Sequence, residues 1–345
     1  MTQRSIVLLG VAALILMLVA LLFTGTRSSP PTDEAGPLIP GLRQAVNELA
    51  ALDVVGADGE LVAELRRGTR AWHVRNRDDY EADYRRVHDL LRELAEARRA
   101  EPRTSLPEWY PRLGVADVGS AEASGIQLEF PGSEFPALIL GERDATTGGR
   151  YARIAGQEQA WLTDRPLQVP DRALGWLERS VMDIPATELA EVTIVHPDGD
   201  RVRLRPADEE GDQWVLLDVP EGRQAAPRWE IRPVANGLAN VVFEDVRRHA
   251  TEVPDDAVRA LYVTRDGLNF VVSLFTDEDG RWAHFSVSAE VEATANEESA
   301  QPDDDLLADA VAVDARLAPW QYGLGENKFR MMTRRPEDLL EPIGD

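Results

Sequence analysis

The sequence predicts an α+β protein: an N-terminal transmembrane helix followed by two tandem β-rich repeats, each an antiparallel sheet with a packed helix. Three observations predict it. An uncharged apolar run opens the chain. Short alternating apolar runs, separated by turn residues, fill most of the remainder. A set of those runs recurs in the same order in the second half.

The run from Ser5 to Phe23, SIVLLGVAALILMLVALLF, carries no charged residue. At ~1.5 Å per residue it reaches ~28 Å, close to the ~30 Å hydrocarbon core. In lipid, only a helix satisfies its own backbone. A buried core helix would show a polar face, and this run has none. A cleavable signal peptide is the rival reading, because the run is short and N-terminal. The residues that follow, Thr24, Gly25, Thr26 and Arg27, contain no A-x-A pattern, which favours an uncleaved anchor. The chain has no cysteine, so a lipoprotein signal is excluded. Arg4 precedes the run and Arg27 follows it, so the positive-inside rule only slightly favours a cytoplasmic N-terminus. The start-proximal position supports the same direction. Residues 1–4 are then a short cytoplasmic N-terminus, 5–23 the membrane helix, and the Pro/Ser/Thr/Gly-rich residues 24–40 a linker.

The first repeat is expected over 41–180. Its stretch LAALDVVGADGELVAELRRGTRAWHVRN reads as strand, Asp-Gly turn, strand, polar turn and a strand carrying Trp72. The second repeat is expected over 181–345. Its stretch LAEVTIVHPDGDRVRLRPADEEGDQWVLLD has the same order, so Asp58 matches Asp198 and Trp72 matches Trp214. Asp-Gly between alternating runs is a hairpin signal, read here with positive φ at both turn positions. Each tryptophan is expected to cap the apolar face of its sheet. A helix follows in each repeat, marked by Tyr84, Val87, Leu91 and Leu94 in the first and by Val234, Leu238 and Val241 in the second. More strands follow: GIQLEF, ALILGER, RYARI and QAWLTD, then ALYVTR, FVVSLF and AHFSVS. Leu174, Trp176, Leu177 and Met182 predict a helix between the repeats, stopped by Pro185. Residues 289–305 are acidic and read as a solvated loop. Leu306, Ala310, Val313 and Leu317 then mark a helix that opens the C-terminal helical tail.

Composition narrows the function. The 345 residues carry 61 acidic against 37 basic groups, a net charge of −24. Such a body repels nucleic acid and anionic headgroups, so no nucleic-acid partner is expected. The basic residues are scattered arginines, apart from Lys328. The missing cysteines remove disulfides, thiolate catalysis and cysteine-ligated metals.

The tail LAPWQYGLGENKFRMMTRRPEDLLEP is distinctive. It carries Trp320, Tyr322, Lys328, and Asp338 with Leu339 and Leu340. Upstream lie Trp72, Leu113 with Gly114 after Tyr110, Gly148 and Gly149 before Tyr151, Trp161, and Trp176 with Leu177. In this order the chain resembles the bacterial domain-of-unknown-function family 4340 (DUF4340) over nearly its whole length. Each motif is weak alone, and the order is the informative part. The resemblance implies a membrane helix, a repeated β-rich body, and a setting beside ABC-type export systems of the gliding-motility kind. It implies no catalytic residues. The acidic stretch 289–305 looks longer than the family core needs.

No residues are assigned to catalysis, to a cofactor or to a metal, and no cofactor is expected. His73, His88, His196, His249 and His284 show no i,i+4 pairing and no H-E-x-x-H. There is no G-x-S-x-G elbow. TTGGRY lacks the phosphate-loop pattern and reads as a hairpin turn. Asp303, Asp304 and Asp305 do not match an EF-hand loop. Glu209–Glu210 and Asp255–Asp256 read as solvated surface. The expectation is a single-pass inner-membrane protein with a periplasmic body, acting as a binding or scaffold partner of an ABC permease or auxiliary subunit. The alternative is a periplasmic hydrolase of an envelope polymer, for which abundant carboxylates are the only support. Oligomeric state is not legible.

Overall fold

The computed structural model describes residues 36–249, 253–289 and 304–343. The membrane run 5–23, most of the linker, and residues 290–303 of the acidic stretch lie outside the described residues. Among the described residues no helix is long and apolar enough to cross a membrane. The fold mixes a few helices with mostly antiparallel sheets, as expected. The chain divides into two compact units. One holds residues up to Val62 and His88–Asp171; the other holds Ala63–Val87 and the residues from Arg172 on. This division does not follow the repeat spans 41–180 and 181–345.

Short helix α1 is Leu42–Ala45, and strands β1 to β4 are Ala51–Val55, Leu61–Arg67, Trp72–Val74 and Tyr80–Glu81. Helix α2 is Tyr84–Glu96, β5 is Arg99–Pro102 and α3 is Tyr110–Leu113. Strands β6 to β9 are Ile126–Glu129, Leu138–Arg143, Arg150–Ile154 and Ala160–Thr163. The later half has β10 (Ser180–Met182), β11 (Leu189–Val195), β12 (Arg201–Pro206), β13 (Trp214–Leu216) and β14 (Arg223–Ala225). Helix α4 (Arg228–Ala235) precedes β15 (Val241–Arg248), β16 (Val258–Thr264), β17 (Leu268–Asp277) and β18 (Gly280–Ala289). Helix α5 (Asp304–Leu317), β19 (Trp320–Leu324), α6 (Glu326–Met332) and β20 (Leu340–Pro342) complete the chain.

The first sheet has the order β4-β3-β2-β1-β6-β7-β8-β9-β5. The second, read from its far edge, is β13-β12-β11-β16-β17-β18-β19-β15-β10. From β3 to β5 and from β13 to β15 the two orders correspond strand for strand. In both, a helix (α2 or α4) precedes the strand that pairs at the far side, β5 or β15. They differ between the corresponding strands β8–β9 and β18–β19. A short turn joins the first pair, whereas the second is joined by residues 290–319, which include α5.

Alternation explains the strands. In β1, Leu52 and Val54 are buried while Asp53 is not; in β11, Val192 and Ile194 alternate with Thr193. The two Asp-Gly turns share one geometry. Gly59 donates to Gly56 O at 3.0 Å and Gly56 to Glu60 O at 2.8 Å; Gly199 donates to His196 O at 3.0 Å and His196 to Asp200 O at 2.9 Å. Asp58 and Asp198 each accept from the backbone N–H two residues on. Positive φ falls on Gly59 and Gly199 but not on the aspartates. The expectation of positive φ at both positions is thus corrected. The loop is a turn followed by one left-handed glycine, which needs Gly only once.

Two helix expectations are also corrected. Residues 174–182 form a 3-10 turn, Ala173–Trp176, and then β10, whose Val181 and Met182 are buried. Pairing with β15 outweighs the helical spacing, and Gly175 weakens that spacing further. Val241 does not continue α4 but starts β15. The helix ends in a 3-10 turn, Asn236–Leu238, and Asn240 takes a left-handed conformation. Helix α2 is as expected: Val87, Leu90, Leu91 and Leu94 are buried on one face, while Tyr84 is exposed. Helix α5 also appears, with Ala310 and Leu317 buried.

Candidate functional site

The second unit holds a cavity of about 250 Å³. Its floor is aromatic. Tyr80 and Trp320 are both buried and meet edge to face with centroids 4.7 Å apart. Tyr80 also packs against Phe243 at 5.3 Å. The walls carry charges of both signs, Arg248 and Arg316 against Asp79, Glu81 and Glu178, with His73 beside them.

Each basic side chain is held from the side. Arg248 stacks on Trp320, 4.1 Å from the ring centroid, and donates Nη2 to Asp78 O at 3.3 Å. Arg316, near the end of α5, donates Nη1 to Val181 O at 2.9 Å. His73 Nδ1 lies 3.1 Å from Asp79 O. Asp78 and Asp79 both adopt left-handed backbone, φ 57° and 59°, so two strained residues shape this rim. Within the floor, burial raises the pKa of Tyr80, and the electrostatic and hydrogen-bonding effects of Tyr322 raise it further. Burial likewise pushes Tyr322 up to about 12, so both phenols stay neutral.

Several arginines elsewhere in the unit are held by carboxylates. Arg77 pairs with Asp245, Arg205 with Glu191 at 2.6 Å, and Arg247 with Asp277 at 2.6 Å. Among the described residues no ion pair involves Arg248, Arg316, Glu81 or Glu178. Ala315 and Arg316 belong to α5, so one wall comes from the segment that the first sheet lacks.

The first unit has a wider groove, about 720 Å³, with Asp58, Ser124, Gly125, Arg150 and Asp171 in its lining. Its cation is already committed: Arg150 donates Nε to Gly141 O and Nη1 to Leu167 O, both at 2.7 Å. Burial and the nearby Arg143 lower its pKa.

A further feature appears once in each unit. Tyr151 on β8 donates to Asp144 Oδ2 at 2.8 Å, with Arg103 5.7 Å above the ring. Trp282 on the corresponding β18 donates to Asp277 Oδ1 at 2.9 Å, with Arg247 3.8 Å above the ring. Likewise Arg99 on β5 covers Trp161 on β9, as Arg248 on β15 covers Trp320 on β19.

The remaining sequence candidates are dispersed. His88 is exposed on α2, and His196 is buried with Nε2 3.1 Å from Arg334 O. His249 and His284, far apart in sequence, stack at 3.9 Å. Glu209–Glu210 and Asp255–Asp256 are exposed. Gly148 and Gly149 form the β7–β8 turn, with Asp144 accepting from the backbone of Thr146 and Thr147. Asp304 and Asp305 lie in the first turn of α5, and Asp303 is outside the described residues. Among the described residues no three His, Asp or Glu side chains cluster as metal ligands. Trp72 and Trp214 are buried against their sheets. Trp320 and Tyr322 lie in β19, Lys328 in α6 and Leu340 in β20. Sequence reasoning missed the cavity, whose lining residues are scattered from His73 to Trp320.

A family profile, described as "Domain of unknown function (DUF4340)", matches residues 72–260, more than half of the chain. Neither the curated proteins nor the solved structures give a match.

Proposed function

The chain belongs to the DUF4340 family, and on that premise we propose that it is a membrane-tethered binding or scaffold protein accessory to an ABC-type transport system. The helix 5–23 holds it in a bacterial inner membrane, the linker that follows lifts the body off the surface until Leu38 and Ile39 bury in it, and the body is periplasmic. That body is a tandem duplication over 41–180 and 181–345. The matched strand orders and the repeated Asp–aromatic–Arg groups support the duplication. The partner is a permease or auxiliary subunit, and the net charge of −24 argues against nucleic acid.

The observation that carries the binding reading is the cavity of the second unit. It sets unpaired charges of both signs over an aromatic floor, as recognition sites do. Co-purification of the full chain from membranes, with partners identified by mass spectrometry, tests the reading. ABC permease subunits are the expected result; recovery of the chain alone, under conditions that preserve known transporter complexes, overturns it. Alkaline phosphatase fused after residue 345 should be active, and an inactive fusion overturns the periplasmic placement.

One observation keeps the hydrolase alternative: Glu81 and Glu178 line the same cavity. It requires release of soluble glycan from purified envelope material, abolished by Glu81→Gln or Glu178→Gln. No release removes it.

A further inference from the structure

The charges around the cavity of the second unit restrict what it can hold. A space of about 250 Å³ lies below the ~300–1,000 Å³ of pockets for drug-sized ligands. A ligand carrying only a carboxylate would meet Arg248 and Arg316 but also Asp79, Glu81 and Glu178. A ligand carrying only an ammonium group would meet those carboxylates but also the two guanidinium groups. Like-charge juxtaposition penalises both. A ligand with both ends charged answers both walls at once.

The geometry favours such a ligand in two further ways. The bonds to Asp78 O and Val181 O hold the two guanidinium groups in place while leaving other N–H groups on each, which reduces the ordering cost of binding. The floor and rim between the charges are apolar: Tyr80, Trp320, Pro319 and Ala315. They suit a short apolar or aromatic side chain.

Resting on the reading of this unit as a binding body, we propose that the cavity takes a small zwitterion: an amino acid or dipeptide with free ammonium and carboxylate groups. The carboxylate faces Arg248 and Arg316, and the ammonium faces Glu81 and Glu178.

Isothermal titration of the detergent-solubilised full chain tests this. The probes are phenylalanine, the dipeptide Ala-Phe, N-acetyl-Ala-Phe and Ala-Phe amide. Phenylalanine or Ala-Phe should bind saturably, and blocking either end should weaken binding at least about tenfold, or about 1.4 kcal/mol. Glu81→Gln should cause a similar loss with the thermal midpoint unchanged, because Glu81 is exposed. Arg248→Gln should also weaken binding, with partial rescue by Arg248→Lys. Absence of saturable binding by all four probes overturns the proposal, as does binding insensitive to the blocking of even one end. Permease co-purification reads separately. Lost ligand binding with co-purification intact removes this inference alone; lost co-purification with ligand binding intact removes the transporter reading alone.

Discussion

Trp282 donates its indole N–H to the Asp277 carboxylate at 2.9 Å across the β17–β18 turn, under the guanidinium of Arg247. Tyr151 and Asp144 repeat the arrangement across β7–β8 under Arg103. The first-unit copy carries a pH prediction. Backbone bonding from Thr147 is the largest cause holding the Asp144 carboxyl down, at about 2, and the Tyr151 hydroxyl adds to it. A carboxylate depressed by folding stabilises above its unfolded value and loses that contribution as pH falls through its folded value. The thermal midpoint of the wild type should therefore decline between pH ~4 and ~2 more steeply than that of Asp144→Asn. Identical slopes for the two would sink the assignment.

How much of this was legible in the sequence depends on the range of the contacts. The Asp58-Gly59 and Asp198-Gly199 hairpins were legible because turn and register are settled within a few residues. Strand β15 was not, because VVFEDVRR is charged and its start falls in register with α4. Its strand state comes from pairing with β19 some 75 residues away, Arg248 opposite Trp320. The cavity was illegible for the same reason: His73, Glu178, Arg248 and Trp320 have no local signature. The family resemblance singled out Trp320, Tyr322 and Lys328 without showing what they do.

Lys328, the only lysine of the chain, has a structural role. Its ammonium donates to Ala239 O at 2.6 Å, Gly237 O at 3.2 Å and Asn236 O at 3.3 Å, closing the 3-10 turn after α4. Lys328→Met leaves those carbonyls without their cation and should cost about 2–3 kcal/mol. Lys328→Arg keeps the charge, but a planar fork cannot converge on three carbonyls, so a loss of ~1 kcal/mol is expected. Urea unfolding of the three proteins measures both, and an Arg variant as stable as wild type would refute the geometric part.

The stacked pair His249–His284 predicts acid sensitivity. Burial lowers the His284 pKa, and His249 lowers it further; the backbone bond to Ala318 and the charge of Asp314 act the other way without overcoming them. His249 meets the Gln321 amide at 3.0 Å, and Arg247 donates to the same Gln321 side chain. A histidine depressed by folding binds its proton more readily when unfolded. Stability should thus fall as pH drops below about 6.5 and level off once His284 is charged in the folded state. His284→Leu should flatten the thermal-midpoint profile over that window. A profile unchanged by the substitution would count against the pair as its source.

Gly237 and Tyr262 make the sharpest test of packing in the second unit. A Cβ on Gly237 would overlap the Tyr262 hydroxyl and stand 2.6 Å from its ring carbon. That hydroxyl is buried and finds no hydrogen-bond partner among the described residues. Tyr262→Phe should therefore be neutral or stabilising by up to about 1 kcal/mol, since it removes an unsatisfied polar group. Gly237→Ala should destabilise by about 2–3 kcal/mol, because a packed core absorbs the overlap only by shifting. The ring carbon stays close in the double variant, so rescue is partial and a coupling of about 1 kcal/mol is expected from the cycle. Chemical denaturation of the four proteins measures it. Additive effects would mean that the glycine is required by the backbone of the turn and not by the tyrosine above it.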